Sequence, residues 1–363
     1  MIGIVYFRTD ANDIIATGHV MRCLTLAAAL VKKGQKVFFV VSDRQSEELI
    51  RNAGYDIYTL GTDWKIWDIS VEKDFFRQHA ANDDILVVDS YSVTGEYIEA
   101  MTGFVKTAVF DDIFAEYYPA DIVINYNLYY GMFDYNKRYF REHCGNTKLL
   151  LGGAYVPLRE QFKEQAVSRW KTDIEKKRPV ELLLICGGGD IFNTMGHVLE
   201  NAMALDRTVF GQIRWHVVCG AYNPHYSDIK KISDSNSNVI IHKNVSNMAK
   251  LMSECDVCVS AASTVLYECC AMQLPTVFYC VADNQQYDAE CFGRDEMMLY
   301  CGDFTKEPEL TASSIIHNLK KVIGSNERYR YMVRTCNDMV DKNGADNIAD
   351  ELINIIGDWN GFT

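Results

Sequence analysis

The stretch MIGIVYFRTDANDIIATGHVMRCLTLAAAL, residues 1–30, decides the fold of the first half of the chain. The apolar run at residues 2–7 is rich in β-branched and aromatic side chains, which favour a buried parallel strand. Thr17 is the expected N-cap of a helix whose apolar residues recur at helical spacing until Gly34. This stretch therefore predicts a strand, a loop and a helix, the repeating unit of an α/β fold.

His19 falls in the first turn of the predicted helix, between Gly18 and Arg22. Arg8 and Asp10 follow the strand at its carboxyl end, where open parallel sheets bind ligands. A helix N-terminus disfavours imidazolium, so a histidine there is expected to stay neutral near pH 7 and to accept a proton. We interpret His19 as a catalytic base. The competing interpretation is a histidine that only caps or packs.

Length and composition indicate a globular protein with two domains. The chain has 363 residues, of which 48% are hydrophobic and 23% charged, and this is enough for two ordinary cores. A net charge of −13 argues against nucleic acid or an anionic membrane as a partner. The amino terminus lacks a secretory signal pattern, and no apolar run is long enough for membrane insertion.

The twelve cysteines are scattered, and no pair of Cys-x-x-Cys units occurs at zinc spacing. We therefore expect a reduced, cytoplasmic protein without a structural metal. A charged run ending at Lys176-Lys177-Arg178-Pro179 predicts a linker helix at residues 161–178. This helix separates an expected amino-terminal domain, residues 1–160, from a carboxyl-terminal domain, residues 179–363, whose last helix is able to pack back on the first domain.

Polar side chains follow four of the strands predicted in the first half. These are Arg8 and Asp10, Asp89 and Tyr91, Asp111 and Asp112, and Asn125 and Asn127. Four such ends at one edge of a parallel sheet predict a crevice lined for a polar ligand. For each of them, capping a helix or binding loop amides is the alternative role. A metal site at Asp111-Asp112 is less favoured, since no nearby histidine or further acid accompanies the pair.

The second half contains a glycine-rich turn between a predicted strand and a predicted helix. Cys186-Gly187-Gly188-Gly189-Asp190 leads into a helix that starts near Asn193, which predicts a cradle for phosphate. The pattern is neither Gly-x-Gly-x-x-Gly nor a P-loop, and a tight turn without a ligand is the alternative. Further along, Ser263 and Thr264 end a strand, and Glu268 follows in the next helix. Glu268 is placed either to bind both hydroxyls of a ribose or only to complement the helix dipole.

These second-half motifs resemble the UDP-sugar-binding half of GT-B proteins, and most closely the N-acetylglucosaminyltransferase that acts on the muramyl lipid intermediate. The resemblance implies two Rossmann-like parallel-sheet domains facing across a cleft, with UDP between them. It also implies that the backbone at Val245, near Met248, reads the uracil and that Glu268 holds the ribose. Gln285 is expected beside the donor sugar, with Asn284 bridging the domains.

The first half is similar to a more specific family. The motifs are Arg8-x-Asp10, the run at residues 18–27, Asp89-Ser90-Tyr91, Phe110-Asp111-Asp112, Asn125-Tyr126-Asn127 and the run at residues 153–162. They resemble the hydrolases of pseudaminic acid biosynthesis that act on UDP-2,4-diacetamido-2,4,6-trideoxy-β-L-altropyranose. The resemblance implies that water displaces UDP from the anomeric carbon with inversion. We expect no metal, provided that backbone amides carry the charge of the diphosphate, and no cofactor.

Within this reaction we assign the site residues as a hypothesis. His19 is expected to deprotonate the water, and Asp10 to fix its tautomer. The diphosphate is expected on the amides of Gly187, Gly188 and Gly189 and on the helix start at Ser263-Thr264, with Asp190 and Asn193 nearby. The residues expected around the sugar are Arg8, Asp10, Gly18, Arg22, Tyr91, Asp111, Asp112, Asn125, Asn127, Tyr155 and Arg159.

Three other functions remain open at this stage. A GT-B glycosyltransferase would share the second half, but the first half lacks a glycine-rich loop and an apolar or basic membrane patch. A hydrolase of a different UDP-diacetamido sugar would share every motif. A non-catalytic nucleotide-sugar sensor would leave the polar first-half crevice unexplained. The expected partner is a small UDP-sugar, and the sequence leaves the oligomeric state open, with a monomer among the options.

Overall fold

The computed structural model describes residues 3–357 except 13, 14, 16, 144, 168–178, 188, 221 and 222. The chain divides into two compact units. Unit 1 comprises Met1–Arg159 together with Lys342–Thr363, and unit 2 comprises Glu160–Asp341. The chain thus ends in the unit in which it begins.

Each unit is built on one parallel β-sheet. The strands within the described residues are β1 (Ile4–Thr9), β2 (Lys36–Val41), β3 (Asp56–Thr59), β4 (Ile85–Asp89), β5 (Lys106–Phe110), β6 (Ile122–Asn125), β7 (Lys148–Leu151), β8 (Val180–Ile185), β9 (Ile213–Cys219), β10 (Val239–Lys243), β11 (Val257–Ala261), β12 (Thr276–Cys280) and β13 (Leu299–Asp303). The order is β3-β2-β1-β4-β5-β6-β7 in unit 1 and β10-β9-β8-β11-β12-β13 in unit 2. All of these pairings are parallel.

Helices connect the strands. Those in the described residues are α1 (Gly18–Lys32), α2 (Glu47–Asn52), α3 (Ile69–His79), α4 (Gly95–Met101), α5 (Glu160–Glu164), α6 (Thr194–Leu205), α7 (Arg207–Gln212), α8 (Tyr226–Ser235), α9 (Met248–Glu254), α10 (Thr264–Ala271), α11 (Gln286–Gly293), α12 (Pro308–Gly324), α13 (Asn326–Asn337) and α14 (Gly344–Gly357). A π-helix spans Lys137–Glu142, and short 3-10 helices span Leu128–Met132 and Gly153–Tyr155. No described helix combines the length and the apolarity needed to cross a membrane.

The predicted α/β class with two parallel-sheet, Rossmann-like units is confirmed. The strands predicted at residues 36–41 and 148–151 coincide with β2 and β7. The sequence pattern missed β13 and several short helices, because their apolar residues are too few to show a period. The linker helix predicted at residues 161–178 begins within α5, which ends at Glu164, and residues 168–178 lie outside the described residues.

The opening stretch folds largely as its pattern indicates. β1 is buried from Val5 onwards, and α1 begins at Gly18. Thr17 stands at the N-cap position, but its side chain accepts no hydrogen bond from the described first turn, so the predicted capping contact is wrong. Gly34 follows the helix with a φ of +83°, a left-handed conformation that favours glycine.

Helix α14 packs within unit 1 against α1 and against the segment after β7. Gly344, its first residue, lies so close to Val156 that an added Cβ would be 2.2 Å from the Val156 carbonyl oxygen. The side-chain amide of Asn347 donates to the carbonyl of Ala154 at 2.8 Å. These contacts explain why the second half of the chain returns to the first unit.

The topology sets where ligands bind. In unit 1, β1 lies between β2 and β4, so the crossover connections leave in opposite directions on its two sides. In unit 2, β8 holds the same position between β9 and β11. Such switch points open a crevice at the carboxyl ends of the central strands. The expected ligand-binding positions are therefore the carboxyl ends of β1 and β4 in unit 1 and those of β8 and β11 in unit 2.

Candidate active site

The switch point of unit 1 holds a histidine and an aspartate. Thr9 at the end of β1 is in register with Asp89 at the end of β4. His19 in the first turn of α1 is 7% exposed, and its Nδ1 lies 2.6 Å from Oδ1 of Asp89. The ring of Tyr91 contacts the imidazole edge-on, with centroids 4.6 Å apart. The predicted base thus has a carboxylate partner at the carboxyl edge of the sheet.

The contacts of Nδ1 determine the tautomer of the neutral ring. Nδ1 of His19 has two neighbours: Oδ1 of Asp89 at 2.6 Å and Nη2 of Arg22 at 3.3 Å. A guanidinium only donates and a carboxylate only accepts, so the short contact requires the Nδ1 proton to point at Asp89. The neutral imidazole therefore carries its lone pair on Nε2. This is the atom that can take a proton from water.

Arg22 holds Asp89 in place and in its ionised form. Its Nε and Nη2 each donate to Asp89 at 2.5 Å, and Nη1 lies 2.8 Å from Asp112. Burial alone would raise the pKa of Asp89, but Arg22 and His19 together hold that pKa well below its usual range. Burial would lower the pKa of Arg22, and Asp112 and Asp89 outweigh it, so the pKa stays well above the ordinary value. Both groups are therefore charged near neutral pH.

A chain of hydrogen bonds extends this network along the edge to β6. Asp112 accepts from the amide of Asn127 at 3.0 Å, and the same amide donates to Asn125 at 2.9 Å. Asn125 in turn donates to the hydroxyl of Tyr135 at 2.9 Å. The predicted residues His19, Arg22, Asp112, Asn125 and Asn127 are therefore brought together. This agrees with a polar crevice at the ends of β4, β5 and β6.

Asp111 has different surroundings from its neighbour Asp112. Its Oδ2 accepts from the hydroxyl of Tyr135 at 2.9 Å, while Oδ1 is buried without a hydrogen-bond partner among the described residues. Burial is the main cause that raises the pKa of Asp111 from 3.8 to about 6, although the bond from Tyr135 lowers it and the charge of Asp112 adds to it. The adjacent acids thus differ in role: Asp112 is paired with a cation, and Asp111 is not.

Replacing Asp111 with asparagine is expected to stabilise the protein at high pH. Ionised Asp111 destabilises the folded state, because folding raises its pKa from 3.8 to about 6. This destabilisation is complete above pH ~6 and absent below pH ~4. A shift of this size corresponds to about 3 kcal/mol of unfolding free energy, reached as the pH rises from ~4 to ~6. Urea unfolding should show the gain of Asp111→Asn at pH 8 and almost none at pH 4.

Asp112→Asn is the matched control, because it removes the same charge from the neighbouring position but breaks the ion pair with Arg22. It is expected to lower stability at pH 8. Equal effects of Asp111→Asn at both pH values would contradict the assignment of a raised pKa.

Arg8 and Asp10 form a second, separate cluster. Arg8 has no exposed surface, and its Nε donates to Glu72 at 2.9 Å and its Nη1 to Asp10 at 2.5 Å. Asp10 also accepts from the backbone nitrogen of Ser42 at 2.7 Å. We therefore correct two predictions. Arg8 is enclosed by its partners and does not contact a sugar in this conformation, and Asp89 rather than Asp10 orients His19.

The remaining residues predicted around the sugar lie at the margins of the site. Gly18 is the exposed first residue of α1, and an added Cβ there would meet nothing within 4 Å. Tyr91 is 49% exposed beside His19. Tyr155 and Arg159 are half-buried in the segment after β7, next to the part that packs against α14.

In unit 2 the glycine-rich turn follows β8. Gly187 has a φ of +75°, a conformation that glycine adopts readily, and Gly189 follows it, while Gly188 lies outside the described residues. Asp190 accepts from the backbone nitrogens of Thr194 at 2.6 Å and Met195 at 3.2 Å. These are the amides at the start of α6 that a phosphate would use. The carboxylate of Asp190 occupies them, so we correct its predicted role from phosphate binding to helix capping.

Asn193 also has a local role. Its φ is +52°, and its side chain lies against Gly196, where an added Cβ would be 2.4 Å from Oδ1 of Asn193. Gln285 is tied to its own turn, because its side-chain oxygen accepts from the backbone nitrogen of Val281 at 2.8 Å. Asn284 beside it is exposed. Gln285 is therefore engaged by its own turn, whereas Oδ1 of Asn193 is buried without a hydrogen-bond partner among the described residues.

The other predicted nucleotide residues flank the carboxyl ends of β10 and β11. Ser263 is the N-cap of α10 and accepts from the backbone nitrogen of Val265 at 3.3 Å, and Thr264 next to it is exposed. Glu268 lies one turn into the same helix and is half-buried. Val245 lies in the loop after β10, and Met248 is the buried first residue of α9. No acidic side chain lies in the first turn of α10, so no carboxylate of that turn opposes an anion at this helix start.

Several residues of the site were not assigned from the sequence. Asp89 was recognised only as a strand end, although its place after the most apolar strand of the first half was an available signal. Glu72 gave no signal, because an acid in the first turn of a helix such as α3 is common and it reaches Arg8 only through the fold. Tyr126 was not assigned to the site either, yet its hydroxyl accepts from Nη1 of Arg22 at 3.0 Å. In the described residues, no group of three or more potential ligands is placed to hold a metal.

No family model matches the chain. An uncharacterized protein of Methanocaldococcus jannaschii is 26% identical over 296 residues, which are 78% of this chain and 56% of that protein. The UDP-2,4-diacetamido-2,4,6-trideoxy-β-L-altropyranose hydrolase of Campylobacter jejuni subsp. jejuni serotype O:2 is 27% identical over 289 residues, 78% of this chain and 94% of that enzyme. The match thus spans little more than half of the archaeal protein but nearly all of the hydrolase.

The chain is similar over nearly all of its length to solved structures of glycosyltransferases. The MurG protein of Acinetobacter baumannii has a TM-score of 0.64 at 14% identity, covering 96% of this chain and 99% of that one. The calicheamicin glycosyltransferase CalG4 has a TM-score of 0.59 at 15% identity, covering 98% of both chains. The fold is GT-B. At such low identity these GT-B structures establish the fold of the chain, and the activity has to be argued from the site.

Proposed function

We propose that the chain is a hydrolase that releases UDP from UDP-2,4-diacetamido-2,4,6-trideoxy-β-L-altropyranose, a reaction of pseudaminic acid biosynthesis. The observation that carries the proposal is the His19–Asp89 pair, which leaves Nε2 of the imidazole to accept a proton at the ligand-binding edge of unit 1. The named activity of the Campylobacter jejuni relative supports the choice of substrate. The GT-B fold, shared with nucleotide-sugar enzymes, is in keeping with a UDP-linked sugar.

The proposed chemical step is a single displacement. Nε2 of His19 takes a proton from water while the water oxygen bonds to the anomeric carbon. The bond from that carbon to the diphosphate oxygen breaks, and its electron pair leaves with UDP. Attack from the opposite face inverts the anomeric centre. Asp89 stabilises the imidazolium that forms, and Arg22 fixes Asp89 in the orientation that the step needs.

The remaining roles divide between the units. In unit 1 we assign contacts with the sugar to Tyr91, Asp112 and Asn127, which line the edge beside His19. Arg22 and Asn125 hold Asp112 and Asn127 by the hydrogen bonds described above, and Asp111 shares the hydroxyl of Tyr135 with Asn125. Arg8 and Asp10 stay outside this group, in their own cluster. Gly18, Tyr155 and Arg159 keep their predicted place around the sugar as part of the proposal.

In unit 2 we assign the diphosphate to the amides around Gly187 and Gly189 and to the start of α10 at Ser263 and Thr264. Glu268 would bind the ribose hydroxyls, since a carboxylate accepts from both. The loop at Val245 and Met248 would hold the uracil, with Asn284 and Gln285 nearer the sugar. The backbone amides at the glycine-rich turn and at the start of α10 would carry the diphosphate charge, so the proposed reaction uses no metal.

The test is to incubate the protein with the UDP-sugar alone in oxygen-18 water. A hydrolase should release UDP without an acceptor and place the label in the sugar. UDP release that depends on an added acceptor would instead identify a glycosyltransferase, and binding without any release would identify a sensor. Label in UDP would mean that water attacks phosphorus, which contradicts the step above. Repeating the assay with other UDP-linked diacetamido sugars decides the stereochemistry of the substrate.

A further inference from the structure

We propose that Tyr130 is a sugar-binding platform, which Gly152 holds in position and which recognises the apolar side of the sugar. This inference rests on the proposed function and specifies what its sugar site selects. Tyr130 lies in the 3-10 helix Leu128–Met132, directly after Asn127 at the carboxyl end of β6. It is 36% exposed although its ring packs against the backbone on one side.

The ring of Tyr130 packs directly against the backbone of Gly152. Gly152 follows β7, and its backbone nitrogen donates to the carbonyl of Asn125 at 2.8 Å, which keeps it beside β6. An added Cβ at Gly152 would be 2.6 Å from Cε1 and 3.2 Å from Cδ1 of Tyr130. Its φ of +84° also disfavours any other residue. Two independent features, the close approach of the ring and the backbone conformation, therefore require glycine at this position.

The polar network stands immediately beside the platform. The backbone nitrogen of Tyr130 donates to the carbonyl of Asn127 at 3.0 Å, and the side chain of Asn127 is bonded to Asp112. Exposed apolar side chains also follow the two preceding strand ends, Tyr91 after β4 and Ile113 after β5. The edge therefore combines hydrogen-bonding groups with an exposed apolar rim, of which Tyr130 is the member held by a dedicated glycine.

A 2,4-diacetamido-2,4,6-trideoxy sugar matches this combination. Its name leaves one free hydroxyl on the ring besides the anomeric oxygen, and it carries three methyl groups, two in the acetamido groups and one at carbon 6. Such a sugar buries apolar surface that a fully hydroxylated hexose cannot offer. A flat aromatic face accepts methyl groups and ring C–H bonds, while Asp112 and Asn127 can bond the amides. The platform would thus select deoxy, acetamido sugars over hydroxylated ones.

The experiment compares the affinity of the UDP-sugar with that of UDP, by calorimetry in the background of His19→Asn so that no turnover interferes. Tyr130→Leu should weaken binding of the UDP-sugar by about 5- to 30-fold and leave binding of UDP within about two-fold. Tyr130→Phe should behave like the parent protein, because it keeps the ring. Gly152→Ala should reproduce the effect of Tyr130→Leu if it folds, since it displaces the ring.

Each other outcome overturns the platform. Unchanged affinity of Tyr130→Leu for the UDP-sugar would show that the ring does not contact the ligand, and equal weakening for UDP would show a merely structural role. A loss in Tyr130→Phe as large as that in Tyr130→Leu would assign the contact to the hydroxyl. Failure of the proposed function is seen separately, as absence of UDP release by the unmodified protein, and it does not alter the binding comparison.

Discussion

Replacing His19 with asparagine is expected to lower the rate of UDP release by about 100- to 10,000-fold, the contribution typical of a positioned general base. Asparagine can keep a hydrogen bond to Asp89 but has no basic atom in place of Nε2. The diphosphate contacts are assigned to unit 2, so UDP affinity should stay within a few-fold of the parent protein. Steady-state UDP release and UDP titration measure the two effects on the same samples.

His143→Asn is a matched control, because this histidine is exposed in the same unit, at the end of the π-helix Lys137–Glu142. It should release UDP at the parent rate. Near-normal turnover of His19→Asn would sink the assignment of the base. A large loss of UDP affinity in that variant would instead mean that the substitution disturbs the fold.

Replacing Asp89 with asparagine is expected to reduce kcat by about 100- to 10,000-fold, with UDP affinity again nearly unchanged. The substitution removes the charge that stabilises the imidazolium. It also offers an amide N–H where Nδ1 of His19 and the guanidinium of Arg22 both need an acceptor. The same change leaves Arg22 with Asp112 as its remaining carboxylate, so a loss of stability of about 3–5 kcal/mol accompanies it.

Stability and catalysis must therefore be separated in this test. Activity is compared below the unfolding transition of the variant, which circular dichroism determines. Cys23→Ala is the matched control, because the Cys23 thiol lies 3.5 Å from Oδ2 of Asp89 and makes no contact with the His19–Asp89 hydrogen bond. It should retain turnover. A folded Asp89→Asn protein with full kcat would show that the carboxylate is not needed to orient or stabilise the imidazole.

Much of the architecture could be predicted because it depends on hydrophobic patterns within a few neighbouring residues. Strands such as β4 are continuous apolar runs, which mark burial on both faces of a parallel sheet. Polar residues directly after such runs, such as Asp112 and Asn127, must lie at one edge, because all carboxyl ends of a parallel sheet do. The gathering of Asp112 and Asn127 was predictable on that ground, and that of His19 and Arg22 from their place at the start of the helix that follows β1.

Partners within the site could not be predicted in the same way. Asp10 and Asp89 both follow strands, and the sequence analysis chose Asp10 as the partner of His19. Only the packed structure shows that Arg8 and Ser42 engage Asp10 while His19 engages Asp89. Asp190 was a similar case. A carboxylate just before a helix can either cap it or stand beside a ligand, and its bonds to Thr194 and Met195 decide for capping.

The sequence by itself determined the α/β class, the repeating strand–helix units and the edge at which ligands bind, since these depend on hydrophobic periodicity over a few residues. The tertiary structure alone decided which side chains are enclosed and which face solvent. Arg8 shows the reason: its partner Glu72 is 64 positions away, and no local pattern records a contact that chain folding creates. The opposite environments of Asp111 and Asp112 likewise arise from side chains on other elements.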